Sequence, residues 1–276
     1  MKKLKKRITG AVIGLCKYLL ALLIALLILF PIYVMTANSL KPNNQVFDLR
    51  LVPRTLSLEG FRYVIKEDFS RFFFNSFFIS VTVTVVSLIF HSMSGYVLAR
   101  INFPGRRIVF LWILSTLMIP FAVIMIPLFI MIKQFGWLNS YAGVIVPAIP
   151  HAYGIFLFRQ FFLTIPRDLE DAALIDGCSL FQIYYRVIVP LSKPITMMLA
   201  VAFFIANWNS YLWPLIVNHN RNLWVLQVAI ASFVGRNDSR WNAMLAASVF
   251  ATIPSILMFF ILQKSLVEGI KMSGIK

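Results

Sequence analysis

The acidic side chains that could take part in binding chemistry are concentrated in one polar segment, 164–194, which lies between two long apolar runs. Four carboxylates occupy its first half: Asp168, Glu170, Asp171 and Asp176. Carboxylates on an exposed helix form charge-assisted ion pairs with Lys or Arg of another protein. Connections between neighbouring helices are usually short, so a segment of this length and charge indicates a docking element for a partner. We call residues 164–194 the polar loop.

The polar loop is predicted to fold as two short helices separated by a glycine. Thr164 can cap the first helix, Pro166 suits its first turn, and the acids that follow lie near the positive end of the helix dipole. Gly177 can adopt the left-handed conformation that ends this helix. Apolar positions at helical spacing predict the second helix: Leu180, Phe181, Tyr184, Val187 and Ile188. An amphipathic hairpin lying on a membrane surface is the alternative explanation.

A second group of polar side chains lies within the fifth long apolar run: Asn207, Trp208, Asn209, Ser210 and Tyr211. Amide and hydroxyl groups beside flat aromatic rings can bind a solute that has both polar groups and apolar faces, so these residues are candidates for a substrate pathway. The alternative is that the aromatic residues belong to a membrane-interface belt and that an asparagine bonds a neighbouring helix.

Two histidines, His91 and His151, also fall within apolar runs. A buried imidazole can relay protons, and His91 with the nearby Ser94 would suggest an intramembrane hydrolase. Such catalysis also needs a positioned serine and oxyanion donors, which the sequence does not identify. A neutral histidine bonded to an adjacent helix is the favoured interpretation, so no catalytic residue and no metal ligand is assigned.

The composition places these groups in a membrane protein. Hydrophobic residues make up 60% of the 276 residues and charged residues 13%, and the mean hydropathy is +0.82. This leaves too little polar surface for a soluble globule. The net charge of +16 does not indicate nucleic acid as a partner, because Lys and Arg lie in the gaps between apolar runs rather than on one stripe. Cys16 and Cys178 have no partner at disulfide or metal-ligand spacing.

Hydropathy predicts an all-α, polytopic membrane protein with six transmembrane helices. The basic N-terminus precedes an apolar run that is too long for a signal peptide, which predicts a retained anchor. The core of the protein is expected to be 72–263 and to contain the polar loop. The six spans are expected near 15–37, 72–99, 108–132, 142–163, 195–217 and 242–263.

The distribution of basic residues predicts the orientation in the membrane. With residues 1–14, the turn 100–107, the polar loop and the tail 264–276 in the cytoplasm, these parts and their flanks hold 16 of the 26 Lys and Arg residues, and 10 lie outside, in line with the positive-inside rule. The segment 38–71, which contains Pro and Gly residues, is then an extracytoplasmic loop. We therefore expect a multi-pass protein of a cell membrane with both termini in the cytoplasm.

Two features that the sequence lacks limit how the protein could drive active transport. None of the ten carboxylates falls inside a predicted span, whereas ion-driven carriers usually bind their coupling ion with a buried acid. A Gly-rich phosphate loop ending in Lys and Ser or Thr is also missing. If the protein takes part in active transport, the energy must come from another polypeptide.

The order of residues in the polar loop resembles the EAA loop of ABC importer permeases, in which Glu-Ala-Ala is followed by Asp-Gly and then by a Pro-Leu element. The resemblance extends to 207–209, to 213–215 and to the tail, and it is greatest to the second permease subunit of carbohydrate importers of the maltose and glycerol-phosphate type. The matching positions in the polar loop are Asp171, Ala172, Ala173, Asp176, Gly177, Pro190 and Leu191.

This resemblance implies the type I ABC importer permease fold and a bacterial cell membrane. It implies a permease that catalyses no reaction itself and imports a carbohydrate delivered by an extracytoplasmic binding protein. Its partners would be a second homologous permease and two ATP-binding cassette subunits, which bind the ATP and Mg, so the chain would need no cofactor of its own. Residues 169–181 would form a coupling helix seated in the ATPase. A permease for a non-sugar solute and an intramembrane hydrolase are the alternatives.

Two positions depart from the family pattern. Asp171 stands where the family has glutamate and is one methylene shorter, so an ion pair to an ATPase arginine would require closer docking or would pass to Glu170. The chain ends Gly274-Ile275-Lys276 and lacks the last glycine of the family's tail. A contact of the tail with the ATPase is therefore expected only through Gly274 and Lys276.

Overall fold

The computed structural model describes residues 2–235 and 239–273, and it places side chains for residues 13–235 and 239–260. Over these described ranges the chain is α-helical and contains no strand beyond an isolated bridge between Val234 and Ser239. Four helices are long and apolar enough to cross a membrane, and two further pairs of helices would each cross it as a bent span. The all-α membrane fold predicted from hydropathy is therefore confirmed.

We number the spans by their order in the chain. Span 3 consists of Arg106–Met118 and Phe121–Gln134, which meet at 102°. The other bent pair joins Leu180–Leu191, the second helix of the polar loop, to Lys193–Trp208 at 75°, and we call Lys193–Trp208 span 5. The other candidates are span 1 (Ile13–Ser39), span 2 (Phe69–Arg100), span 4 (Tyr141–Thr164, with an interruption between Ala148 and Ala152) and span 6 (Trp241–Phe260, within a helix that runs to Ser273). Shorter helices cover Glu59–Lys66, Asp168–Ile175, Leu212–Val217 and Leu226–Ser232.

Contacts divide the chain into two compact units, one of residues up to 68 with 230–252, and the other of 69–229 with residues from 253 onward. In the first unit, Lys41 is buried, and its ammonium group donates to the carbonyls of Asp48 and Arg50, both at 2.8 Å. A buried ammonium group requires such acceptors. Lys41 therefore fixes the backbone path of the segment that follows span 1.

The second unit contains span 2, which presents a polar stripe at helical spacing to the interior. Small side chains on a span allow a neighbouring helix to approach closely. At Gly95 a Cβ would lie 2.7 Å from Cβ of Phe158 in span 4, so the two helices are nearly in backbone contact there. The buried members of the stripe are Ser76, Ser80, Thr84, Ser87 and His91.

The polar loop is packed onto spans 2 and 4 by an apolar cluster. Ala173, Ile183 and Ile188 of the loop are buried against Tyr96 of span 2 and Phe162 of span 4. Burial of apolar side chains stabilises such a contact at about 25 cal/mol per Å². The loop is thus a folded part of this unit rather than a loose connection.

Candidate functional site

The first helix of the polar loop runs from Asp168 to Ile175 and has no side-chain cap at its start. The predicted capping role of Thr164 is wrong, because Thr164 is the last residue of the preceding helix and its hydroxyl donates to the carbonyl of Phe161 at 2.7 Å. Ile165 is extended, with a ψ of 130°, as expected for the residue before a proline. The acids of the first turn stabilise the helix start through the dipole instead.

Gly177 ends this helix in the left-handed conformation, with a φ of 80°, as predicted. The amide of Gly177 donates to the carbonyl of Leu174 at 3.0 Å, and the amide of Cys178 donates to the carbonyl of Ala173 at 2.9 Å. These two bonds form a Schellman motif, which satisfies carbonyls at the helix end. A Cβ at position 177 would meet nothing within 4 Å. Glycine is therefore required by the dihedral angle and not by crowding.

The second helix of the polar loop begins with a capping box that the sequence-based interpretation missed. The amide of Ser179 donates to Oε1 of Gln182 at 2.7 Å, and the amide of Gln182 donates to Oγ of Ser179 at 3.4 Å. The signal was a serine followed three residues later by glutamine. From Leu180 the helix continues through a π-helical turn at Tyr184–Ile188 to the 75° bend that leads into Lys193–Trp208.

Glu170 and Asp171 are adjacent in sequence but have different surroundings. Oε1 of Glu170 lies 2.8 Å from Nε of Arg100, and the two side chains are 12% and 6% exposed. The other oxygen of Glu170 accepts a hydrogen bond from the Tyr96 hydroxyl at 3.2 Å. Arg100 also donates to the carbonyl of Ile165. Asp171 is exposed, so of these two acids it is the one that a partner could reach.

From the sequence alone, either Asp171 or Glu170 could form the ion pair with an arginine of the ATPase. The surroundings of the two acids bear on this choice. Both oxygens of Glu170 already have partners within the chain, so the structure favours Asp171 for an external contact. The sequence-based interpretation did not single out Arg100. Its signal was a lone cation at the very end of an otherwise uncharged apolar run, a position at which a charge usually has a specific partner.

The polar loop exposes large apolar side chains beside its acids. Ile175 is 86% exposed, and Ala172, Asp176, Gly177 and Pro190 are exposed as well, whereas Ala173 is buried. Clustered apolar side chains with nearby charges are typical of a surface that another protein covers. We call the exposed apolar residues the loop patch: Leu169, Leu174, Ile175, Leu180 and Phe181.

A cavity of about 690 Å³ lies where three helical segments are interrupted, and we call it the central cavity. Span 3 is interrupted between Met118 and Phe121, and span 4 between Ala148 and Ala152. Span 5 ends before the helix Leu212–Val217 begins. Residues from all three interruptions line the cavity. Interrupted helices are a common device by which transporters present polar backbone groups to a solute.

Prolines account for the interruptions. Pro120 and Pro150 lack a backbone N–H, and a new helix begins shortly after each of them. Pro214 lies in the first turn of Leu212–Val217, where its ring would clash with the carbonyl of Ser210 in a continuous helix. The third, fourth and fifth spans were predicted as single helices, which is wrong, because their hydropathy is continuous across these positions.

Two of the predicted pathway residues, Asn207 and Tyr211, line the central cavity together with Ser210. The other two are placed elsewhere. Trp208 is 1% exposed, and its ring packs in the protein interior. Successive helical positions point about 100° apart, and here Asn207 lines the cavity whereas Trp208 does not. Asn209 accepts a hydrogen bond from Nε2 of Gln227 at 3.2 Å and does not line the cavity.

The sequence-based interpretation did not identify the rest of the lining. Aromatic rings come from Phe121, Phe203 and Trp213, and hydrogen-bonding groups come from Thr116 and His151. None of the described residues that line the central cavity is Asp, Glu, Lys or Arg. The available signal was the set of prolines, since their positions mark where each span exposes its backbone.

His91 holds the interruption of span 4. Its Nε2 lies 2.9 Å from the carbonyl oxygen of Ile149 and 3.1 Å from the amide nitrogen of His151. The hydroxyl of Ser87 donates to the same carbonyl at 3.0 Å. A carbonyl released from helical bonding at membrane depth requires such a partner. His91 therefore has the role of a histidine bonded to an adjacent helix, as the sequence favoured.

Comparison with known proteins shows to which family the chain belongs. Residues 91–272 match the family described as binding-protein-dependent transport system inner membrane component. The arabinooligosaccharides transport system permease protein AraQ of Bacillus subtilis is 34% identical over 261 residues, which cover 92% of this chain and 93% of that protein. The sn-glycerol-3-phosphate transport system permease protein UgpE of Salmonella typhi is 34% identical over 254 residues, which cover 88% and 90%.

A solved structure shares the fold. It is the crystal structure of a bacterial ABC transporter involved in the import of the acidic polysaccharide alginate, with a TM-score of 0.80 and 25% identity over 94% of this chain and 98% of that chain. The relatives are transport permeases and not enzymes, so the hydrolase alternative is set aside. The chain belongs to the family of binding-protein-dependent transport system inner membrane components, the permease subunits of ABC importers.

Proposed function

We propose that the chain is the permease subunit that carries a carbohydrate across the membrane in an ATP-driven ABC importer. The observation that supports this most is the central cavity, where three interrupted segments bring aromatic and hydrogen-bonding side chains together. The relatives support the same cargo class, since AraQ is named for arabinooligosaccharides and the solved neighbour for alginate import.

The lining of the central cavity suits a neutral sugar. Phe121, Tyr211 and Trp213 offer ring faces for the C–H surface of a pyranose or furanose, and Thr116 and Asn207 offer groups for its hydroxyls. Aromatic residues combine a large apolar contact area with a polar edge. A passage site must also release its cargo, which a few neutral hydrogen bonds allow more readily than ion pairs.

A phosphate ester is the second candidate, because UgpE, named for sn-glycerol-3-phosphate, shares the same 34% identity with this chain over a slightly shorter alignment than AraQ does. Proteins usually bind phosphate with Arg, Lys or a helix N-terminus. Two helices, Phe121–Gln134 and Ala152–Thr164, begin in the lining, but among the described residues that line the central cavity there is neither Arg nor Lys to pair with the charge of the anion. The lining therefore favours the neutral sugar over the anion.

In this proposal the energy comes from partner subunits. A second homologous permease completes the pathway, two ATP-binding cassette subunits hold the ATP and Mg, and an extracytoplasmic binding protein delivers the sugar. The polar loop docks in the ATPase through the loop patch and Asp171, and closure of the ATPase pair changes the access of the cavity. The tail residues Gly274 and Lys276 lie outside the described residues, and their contact with the ATPase stays a prediction.

Uptake by the complete reconstituted importer tests this function. Labelled neutral oligosaccharides and labelled sn-glycerol-3-phosphate are each offered to proteoliposomes with ATP inside. We expect ATP-dependent uptake of a neutral sugar, and we expect Asn207→Leu to lower it about tenfold, since one lost hydrogen bond in the cavity corresponds to about 1 kcal/mol or slightly more. Gln134→Leu, an exposed polar residue at the end of span 3, is the matched control and should leave uptake unchanged.

The outcomes separate the candidates. Uptake of the phosphate ester alone would replace the proposed cargo with the second one. Equal uptake by the Asn207→Leu variant and the wild-type complex would remove the central cavity from the pathway. A complex that shows no ATP-dependent uptake of any solute would contradict the proposed function.

A further inference from the structure

The ion pair between Glu170 and Arg100 lies in a place where two charges are costly. The side chains are 12% and 6% exposed, and removing a carboxylate and a guanidinium group from water carries a large desolvation cost. Apolar residues of similar volume often fill such a site with equal or greater stability. Stability alone therefore does not explain why the loop is attached to span 2 by charges.

Arg100 is the last residue of the span 2 helix, and it joins this helix end to two points within the polar loop. Its guanidinium group contacts the carboxylate of Glu170 in the first loop helix and the carbonyl of Ile165 in the connection from span 4. Tyr96, one turn earlier, donates to the second oxygen of Glu170. The first loop helix is thus attached to span 2 through both oxygens of one carboxylate.

Span 2 is also attached to the lining of the central cavity, through residues that precede Arg100 in the chain. His91 and Ser87 bond to the carbonyl of Ile149, in the interruption of span 4. His151, two residues later, lines the central cavity, and its amide nitrogen lies 3.1 Å from Nε2 of His91. The helix is continuous between His91 and Arg100. Packed and hydrogen-bonded elements of this kind carry coupling between distant sites.

We propose that span 2 is the mechanical link between the polar loop and the central cavity, with Glu170, Arg100 and Tyr96 as its attachment to the loop and His91 as its attachment to the span 4 interruption. This inference rests on the proposed function, because it assumes that an ATPase moves the polar loop. The two adjacent acids then have separate tasks: Asp171 faces the partner, and Glu170 faces span 2. Glu170 and Arg100 are positioning residues that never touch the solute.

The test compares uptake with ATP hydrolysis in the complete importer in proteoliposomes. Glu170→Gln preserves the shape and hydrogen-bonding groups of the side chain but removes the charge opposite Arg100. We expect the complex to assemble and to hydrolyse ATP within about twofold of the wild-type rate, while sugar transported per ATP falls about tenfold, which is within the usual range of coupling between sites. His91→Leu, at the other attachment, should lower the same ratio.

Matched variants make the result specific. Asp48→Asn breaks an exposed ion pair with Arg50 at 3.7 Å and should leave transport per ATP unchanged. The double exchange Glu170→Arg with Arg100→Glu should restore part of the ratio that either single exchange loses. Tyr96→Phe removes one hydrogen bond, so it should assemble fully and lose a smaller part of the ratio.

Three results would overturn the proposal. One is a wild-type ratio of transport to hydrolysis in Glu170→Gln. Another is a parallel loss of assembly, hydrolysis and uptake in both Glu170→Gln and Tyr96→Phe, which is what a purely structural ion pair predicts. A wild-type complex without ATP-dependent uptake would instead overturn the proposed function, and the mechanical link with it.

Discussion

At the scale of single residues, the two glycines that matter act for different physical reasons. Gly177 is needed for its positive φ, and the space around it is open. Gly154 is needed for space, because a Cβ there would collide with Nδ1 of His91 and lie 2.8 Å from Cζ of Phe203. The site that His91 holds at the span 4 interruption therefore depends on a residue with no side chain.

We predict that Gly154→Ala destabilises the protein. The added methyl group must displace the ring of His91 or Phe203, and overpacking of a buried site costs about 1–3 kcal/mol. The thermal unfolding temperature of the purified protein should fall. Gly14→Ala is the control, since position 14 has open space in a helix, and alanine there should be neutral or stabilise by up to about 1 kcal/mol. Equal unfolding temperatures for Gly154→Ala and the wild-type protein would refute the steric explanation.

At the scale of elements, the polar loop is a small folded module with two faces. Its buried face is apolar and includes Ala173 and Ile183, which pack on spans 2 and 4. Its exposed face carries the loop patch and Asp171. A Schellman motif and a capping box define its helix ends locally, so the exposed face is presented in one conformation. This preorganisation is what a docking element needs.

We predict that Ile175→Asp weakens the attachment of the ATPase. The side chain is 86% exposed, so the exchange leaves the fold intact, but a buried charge in the interface should cost about 2 kcal/mol or more. The amount of ATPase that co-purifies with the permease should fall accordingly. The matched control is Leu49→Asp, a 96% exposed leucine in the 38–71 segment. Undiminished co-purification with Ile175→Asp would show that the loop patch is not the docking surface.

At the scale of the whole molecule, the chain exposes apolar surface that it does not cover itself. The apolar window of span 1 has none of its residues buried within the chain, so lipid or another subunit must cover it. The central cavity is formed from residues of the second unit, and its described lining has no charge. Both features fit a subunit that works within a membrane assembly.

We predict that the polar loop and the 38–71 segment lie on opposite sides of the membrane. The positive-inside rule places the loop in the cytoplasm. In a cysteine-free background, Ile175→Cys should react with a membrane-impermeant maleimide only in inside-out vesicles, and Leu49→Cys only in right-side-out vesicles. Labelling of both cysteines from the same side would refute this orientation and the odd number of spans, 2, 3 and 4, between them.

Much of the architecture could be predicted from the sequence because it depends on local physics. A bilayer requires runs of about 20 apolar residues, and these runs identified the spans. Helical spacing and a glycine identified two helices in the polar loop, with Gly177 between them. The prediction for Thr164 failed because two local preferences apply there. Thr164 is the last residue of the preceding helix instead of the cap of the next one, since Pro166 favours an extended backbone at Ile165 and not before it.

What the sequence by itself determined was the class of protein, the position of its polar loop and the conformation of Gly177, all of which follow from contacts between near neighbours in the chain. Only the tertiary structure decided which acid of the Glu170–Asp171 pair faces Arg100 and which of Asn207 and Trp208 faces the central cavity. The physical reason is that adjacent helical residues point about 100° apart. Which of them faces inward therefore depends on residues that are distant in the chain, such as Arg100, and only the tertiary structure shows where these lie.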